Sequence, residues 1–166
     1  MSMAGEIFGV IVPTPGWSTD WLWGLPLIVL TVVIHVLGLG LIRQTAANAF
    51  QLRIHRHQHT LTFAGVLGAT TLLATVLHGL EAGIWAIAYR FLGALTDFRS
   101  SMLYSLNAIT SYGHTSLNLE DHWHLLGALE ALNGWLVFGL TTAFLFAVIE
   151  QFGSPARKGD HIPLGE

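Results

Sequence analysis

Several side chains in this sequence are of the types that do chemistry, and their spacing narrows what that chemistry is. Histidines cluster twice, as His55, His57 and His59 in HRHQH and as His122 and His124 in HWH. His78 and Glu81 add an i, i+3 pair that shares one helix face. Imidazole and carboxylate are suitable donors for iron, so one reading is a membrane di-metal oxidase or hydroxylase. A second is proton or metal modulation of another activity, since unperturbed histidine titrates near about pH 6.5. The plainer readings are solvated loop histidines and a mutual His78–Glu81 pair that holds one helix to its neighbour. The remaining group is the polar stretch 98–119, FRSSMLYSLNAITSYGHTSLNL, which lies between two long apolar runs and is too polar to cross a bilayer itself. Glu130 follows it inside an apolar run, and an ionisable group there is costly enough to be a functional candidate.

The elements that position these groups follow from composition. Of 166 residues, 52% are hydrophobic and 10% charged, with a mean hydropathy of +0.58, which describes a bilayer protein rather than a soluble one. The absence of cysteine removes a disulfide framework, and a net charge of -3 gives no case for nucleic acid. No Lys or Arg precedes Arg43, so the N-terminus lacks the basic start of a secretory signal and is expected to be retained.

Residues 22–42 are long and apolar enough to cross about 30 Å of hydrocarbon. Trp17, Trp21 and Trp23 before them suit an interfacial belt. His35, the one ionisable group in this run, reads as a buried histidine bonded to a neighbouring carbonyl, with a functional ligand as the alternative. The loop 43–59 carries Arg43, Arg53 and Arg56, three of seven basic residues, and by the positive-inside rule belongs in the cytoplasm, with the N-terminus outside. A second span covers 61–88, with Tyr89 and Arg90 marking the interface; a third covers 125–149 and is followed by Arg157 and Lys158. The tail from Gly153 reads as disordered. This organises the chain as an interfacial segment (1–21), a first span with a basic cytoplasmic loop (22–60), a region of two further spans with the polar stretch between them (61–150) and a flexible cytoplasmic tail (151–166). No internal repeat and no second soluble domain stand out.

Residues 105–116, SLNAITSYGHTS, resemble the pore helix and selectivity filter of the potassium-channel superfamily, whose members commonly read S-x-x-T-x-T-T-V-G-Y-G-D. Ser105, Thr110 and Gly113 match, Ser111 stands in for the threonine before the filter valine, and Ala108 replaces the first threonine. Tyr112, His114, Thr115 and Ser116 occupy the places of the family's Val, Tyr, Gly and Asp. Residues 134–143, GWLVFGLTTA, are similar to the inner helix of small bacterial potassium channels. Phe138, Gly139, Leu140, Thr142 and Ala143 match its F-G-L-x-T-A, and Gly134 takes the place of the gating-hinge glycine. Trp135, Phe138, Thr142 and Phe146 fall on one helical stripe, which reads either as a cavity lining or as ordinary helix packing with close-contact glycines. The first span and basic loop have no counterpart in the resemblance.

The resemblance implies an all-α membrane protein: three transmembrane helices, a re-entrant pore helix and filter between the second and third, and a tetrameric pore. A filter presents backbone carbonyls in place of an ion's water shell, and four copies close each ring, so a homotetramer in the lipid bilayer is expected. It implies no enzyme and no cofactor, only permeant monovalent cations (K+, Na+), in an inner (plasma) membrane with the C-terminus cytoplasmic. The implied filter is Thr110, Ser111, Tyr112, Gly113, His114, Thr115 and Ser116, supported by Asn107 and Glu130. The hinge and cavity are Gly134, Trp135, Phe138, Gly139, Thr142 and Phe146. Gly113 can supply left-handed backbone because it has no Cβ, whereas β-branched Thr115 stands where the family has glycine. The Gly-His-Thr tip is similar to the Gly-Glu-Thr tip of cyclic-nucleotide-gated channels, which implies weak selection between potassium and sodium. Glu120 and Asp121 would place acidic rings near the outer mouth. A non-conducting channel-like subunit is a third reading, beside the channel and the oxidase.

Overall fold

Long runs of Leu, Val, Ala and Ile leave the backbone few partners but itself in an apolar medium, and the chain forms helices throughout them. The computed structural model describes residues 16–53, 59–113 and 117–153. Among them the regular elements are α1 (Gly16–Arg53), α2 (His59–Phe91), α3 (Phe98–Ile109) and α4 (His124–Gly153), with one 3-10 turn at Asp121–Trp123 before α4. Three of the helices, α1, α2 and α4, are long and apolar enough to cross a membrane. Large apolar side chains such as Leu22, Val29, Leu37, Leu72, Val76 and Phe146 are exposed, while Thr31, His35, Thr70, Glu81, Ser105, Glu130 and Asn133 are buried. This is the reverse of a soluble protein and fits a lipid surround. Threonine hydroxyls on the spans bond their own helix: Thr31, Thr45, Thr70, Thr71 and Thr75 each reach the carbonyl four residues back.

α1 is longer at both ends than the expected span. It starts at Gly16, so Trp17 and Trp21 lie on its first turns. It also continues to Arg53, so Arg43 and Arg53 sit on a helix rather than in a loop. The stretch TAANAFQ contains no Gly or Pro to stop the helix, and Ala46 and Phe50 bury themselves against Val66, Val148 and Phe152. Arg56, His55 and His57 lie outside the described residues, as do Arg157 and Lys158.

α3 is different in kind. Its 12 residues extend about 18 Å, too short for the hydrocarbon layer. Asp97 caps it, its carboxylate accepting the Ser100 amide at 2.9 Å.

The chain divides into two compact units. The first comprises Met1–Val32 and Glu81–Trp135, so it contains α3 whole. Its core gathers Trp85, Tyr89, Tyr104, Leu119, Trp123 and Leu126. The second comprises Val33–Leu80 and Leu136–Glu166. Two apolar clusters fill it, one around Phe50, Val66 and Phe152 and one around Leu39, Ile42 and Leu77.

Candidate functional site

The first unit is built around the C-terminal end of α3. The chain closes there by two backbone bonds, Tyr112 N–H to the Asn107 carbonyl and Ser111 N–H to the Ala108 carbonyl, both 2.9 Å. This 6→1 and 5→2 pair is a Schellman arrangement, whose C′ residue takes the left-handed conformation and is usually glycine. Here it is Ser111, at φ 53, and Gly113 two residues on has φ 92. A non-glycine residue held there costs about 1–3 kcal/mol, and such strain clusters at functional sites. What Ser111 has in place of freedom is a hydroxyl, which accepts the Trp135 indole N–H of α4 at 2.9 Å.

Behind this turn, buried polar groups from all four helices bond one another. Glu130 on α4 is fully buried and accepts the Tyr89 O–H at 2.6 Å. Its other oxygen meets the Ser105 hydroxyl, which also contacts the Ala82 carbonyl at 2.7 Å. A hydroxyl has one proton, so a charged Glu130 and the Ala82 carbonyl compete for it, whereas a protonated carboxyl supplies the second. One turn along α4, Asn133 donates to Thr31 of α1 at 2.9 Å. Gly134 follows, where a Cβ would collide with the carbonyl oxygen of Ile109 and come within 2.9 Å of its Cα. The missing side chain lets α4 cross directly over the last residue of α3.

The sequence-predicted residues fall as follows. Ser111, Gly113 and Asn107 come together, lining with Tyr104, Gly127 and Ala131 a pocket of about 260 Å³. Glu130 is bonded by Tyr89 and Ser105, while Asn107 is half-buried at the pocket. Thr110 turns its hydroxyl back to the Leu106 carbonyl at 2.6 Å, and Tyr112 is 82% exposed. On α4, Trp135, Phe138, Thr142 and Phe146 are all exposed, Thr142 bonding the Phe138 carbonyl at 2.9 Å. Gly139 has open space around it. His114, Thr115 and Ser116 lie outside the described residues.

Three participants were missed from sequence. Tyr89, expected as an interface marker, is fully buried with its phenol on Glu130, because a buried phenol needs a partner. Thr31 was read simply as part of an apolar run. Thr141 stands between two imidazoles in the second unit, 3.0 Å from both His35 Nε2 and His78 Nε2. Of the HWH pair, His124 meets the Leu119 carbonyl at 2.9 Å and exposed His122 stands 3.8 Å from Glu120. Comparison with family models, curated proteins and solved structures finds no match to this chain, so its function is argued from this geometry.

Proposed function

We propose that this chain is a subunit of a tetrameric, potassium-channel-like cation channel in which the turn after α3 forms one quarter of the ion path. The observation that carries the reading is the left-handed Ser111, followed by left-handed Gly113, at the end of a helix too short to cross a bilayer. A helix C-terminus bears partial negative charge, and in membrane proteins such ends face cations. Left-handed residues turn successive carbonyls away from the helical direction, so backbone oxygens there are available to an ion.

Two further features support it. The Tyr89–Glu130–Ser105 network braces α3 from behind, as rigid positioning of a coordinating turn requires. Tyr112, Trp135, Phe138 and Phe146 remain exposed in the single chain, as residues facing an axis shared by four copies would be. In this reading α3 is the re-entrant pore helix, residues 110–116 are the filter, and Trp135, Phe138, Thr142 and Phe146 line the inner path. The Arg43 and Arg53 end of α1 faces the cytoplasm. With His114 and Thr115 where a potassium filter has Tyr and Gly, the outer rings are widened and both potassium and sodium pass.

Reconstitution into liposomes under opposed potassium and sodium gradients tests the reading. Flux of both ions that depends on the protein is the expected result; a folded, inserted protein that passes neither rejects it.

A further inference from the structure

The second unit holds a polar cluster that the channel reading does not use. His35 of α1 and His78 of α2 each bring Nε2 to 3.0 Å from Oγ1 of Thr141 on α4. The rings are tilted by 48° with centroids 5.0 Å apart, so the two nitrogens converge on one oxygen and the faces do not stack. His35 is fully buried, Thr141 nearly so, and His78 half-buried. Thr141 has a single proton to offer, so at most one imidazole accepts from it and at least one donates its own N–H to it. Both Nε2 atoms therefore point at the centre of the cluster. Satisfying Thr141 does not require the histidines, because a threonine on these helices can bond the carbonyl four residues back, as Thr70 and Thr142 do.

We propose that His35 and His78 bind a zinc- or copper-class transition-metal ion through their Nε2 atoms, with Thr141 moving aside to admit it. Imidazole suits both metals. A ring nitrogen of each histidine lies within 4.8 Å of one of the other's. An ion bonded at about 2.0–2.1 Å to each needs them no more than about 4.2 Å apart, so the rings close by less than about 1 Å. On binding, the Thr141 hydroxyl rotates to the Val137 carbonyl one turn back, and the imidazole that carried Nε2–H shifts its proton to Nδ1. The half-buried face of His78 gives the ion its way in. None of this depends on conduction.

The test uses the purified 166-residue protein in detergent, with His55, His57, His59 and His122 replaced by Gln to reduce competition from the two histidine tracts. Zinc sulfate is one arm and copper(I) under reductant the other, each dialysed against a weak chelator. Stoichiometric retention of one of these ions, with X-ray absorption showing two imidazole nitrogens, is expected, and the retained ion identifies the class. His35→Gln and His78→Gln should each lower affinity by at least about 10–100-fold, the range lost with even an outer-sphere partner. Thr141→Val removes the competing hydroxyl and should tighten binding. No stoichiometric uptake of either ion by protein with intact His35 and His78, or uptake that persists in the His35→Gln, His78→Gln double variant, overturns the proposal without touching the channel reading.

Discussion

Tyr89 on α2 donates its phenol O–H to a carboxyl oxygen of Glu130 on α4 at 2.6 Å, with both side chains fully removed from solvent. In so low a dielectric the bond is stronger than it would be in water, and leaving either partner alone is correspondingly costly. Because Ser105 of α3 meets the same carboxyl, one residue holds three helices of the first unit together. The turn at Ser111 lies six residues after Ser105, just past the end of the same short helix, so its position depends on this network.

Replacing that carboxyl tests the network directly. Glu130→Ala leaves the Tyr89 hydroxyl buried without a partner and should cost about 3 kcal/mol, read as a lower thermal midpoint of the solubilised protein. Glu130→Gln keeps an acceptor for Tyr89 and gains a donor for Ser105, so it should stay within about 1 kcal/mol of the parent. Glu150→Ala, at an exposed position, should change stability by no more than about 0.5 kcal/mol. If the Gln variant were as unstable as the Ala variant, the proton bookkeeping around Ser105 would be wrong.

The two glycines of α4 should behave oppositely. Gly134→Ala drives a methyl group into the Ile109 backbone and should destabilise by about 1–3 kcal/mol. Gly139→Ala meets open space in the chain and should be neutral or stabilising by up to about 1 kcal/mol from helix propensity. Denaturant midpoints of the two variants check this; equal losses would mean that helix flexibility, not close approach, sets the glycine requirement at 134.

How much of this was legible in the sequence depended on whether the signal was local. The three spans were, because an apolar run of that length has few alternatives to a helix. α1's extension to Arg53 was not: arginines read as loop markers, and only burial of Ala46 and Phe50 shows why the helix continues. Ser105 and Glu130 are 25 residues apart, so the sequence offered two polar residues but no sign that they meet. Tyr89 at the end of an apolar run looks the same whether it sits at a headgroup or on a buried carboxyl. The resemblance makes Ser111 the stand-in for the threonine before the filter valine, yet nothing in Thr-Ser-Tyr announces left-handed backbone where glycine is usual.

Asp97 supplies a pH dependence. The Ser100 backbone N–H bonds its carboxylate, holding the group below its ordinary value of 3.8. A carboxyl depressed in the folded state stabilises above its unfolded value and loses that contribution as pH falls through the folded one. The start of α3 should therefore be fully capped above about pH 4 and loosen below it, seen as faster amide exchange at Ser100 and Ser101. Asp97→Asn, which caps without titrating, should remove the acid sensitivity; unchanged sensitivity would assign it elsewhere.

Assembly follows from the proposed ion path, since one turn supplies only one side of a coordination ring. Native mass spectrometry of the detergent complex should give four 18.1 kDa chains. A stable monomer or dimer would contradict the channel reading.

Conduction is the most direct test. In planar bilayers with potassium on one side and sodium on the other, the parent protein should carry current with a reversal potential showing at most a modest potassium preference. Exchanging His114→Tyr together with Thr115→Gly should move that potential toward potassium. A folded, reconstituted protein that carries no cation current would contradict the central claim, and a parent channel already strongly potassium-selective would contradict the widened outer rings.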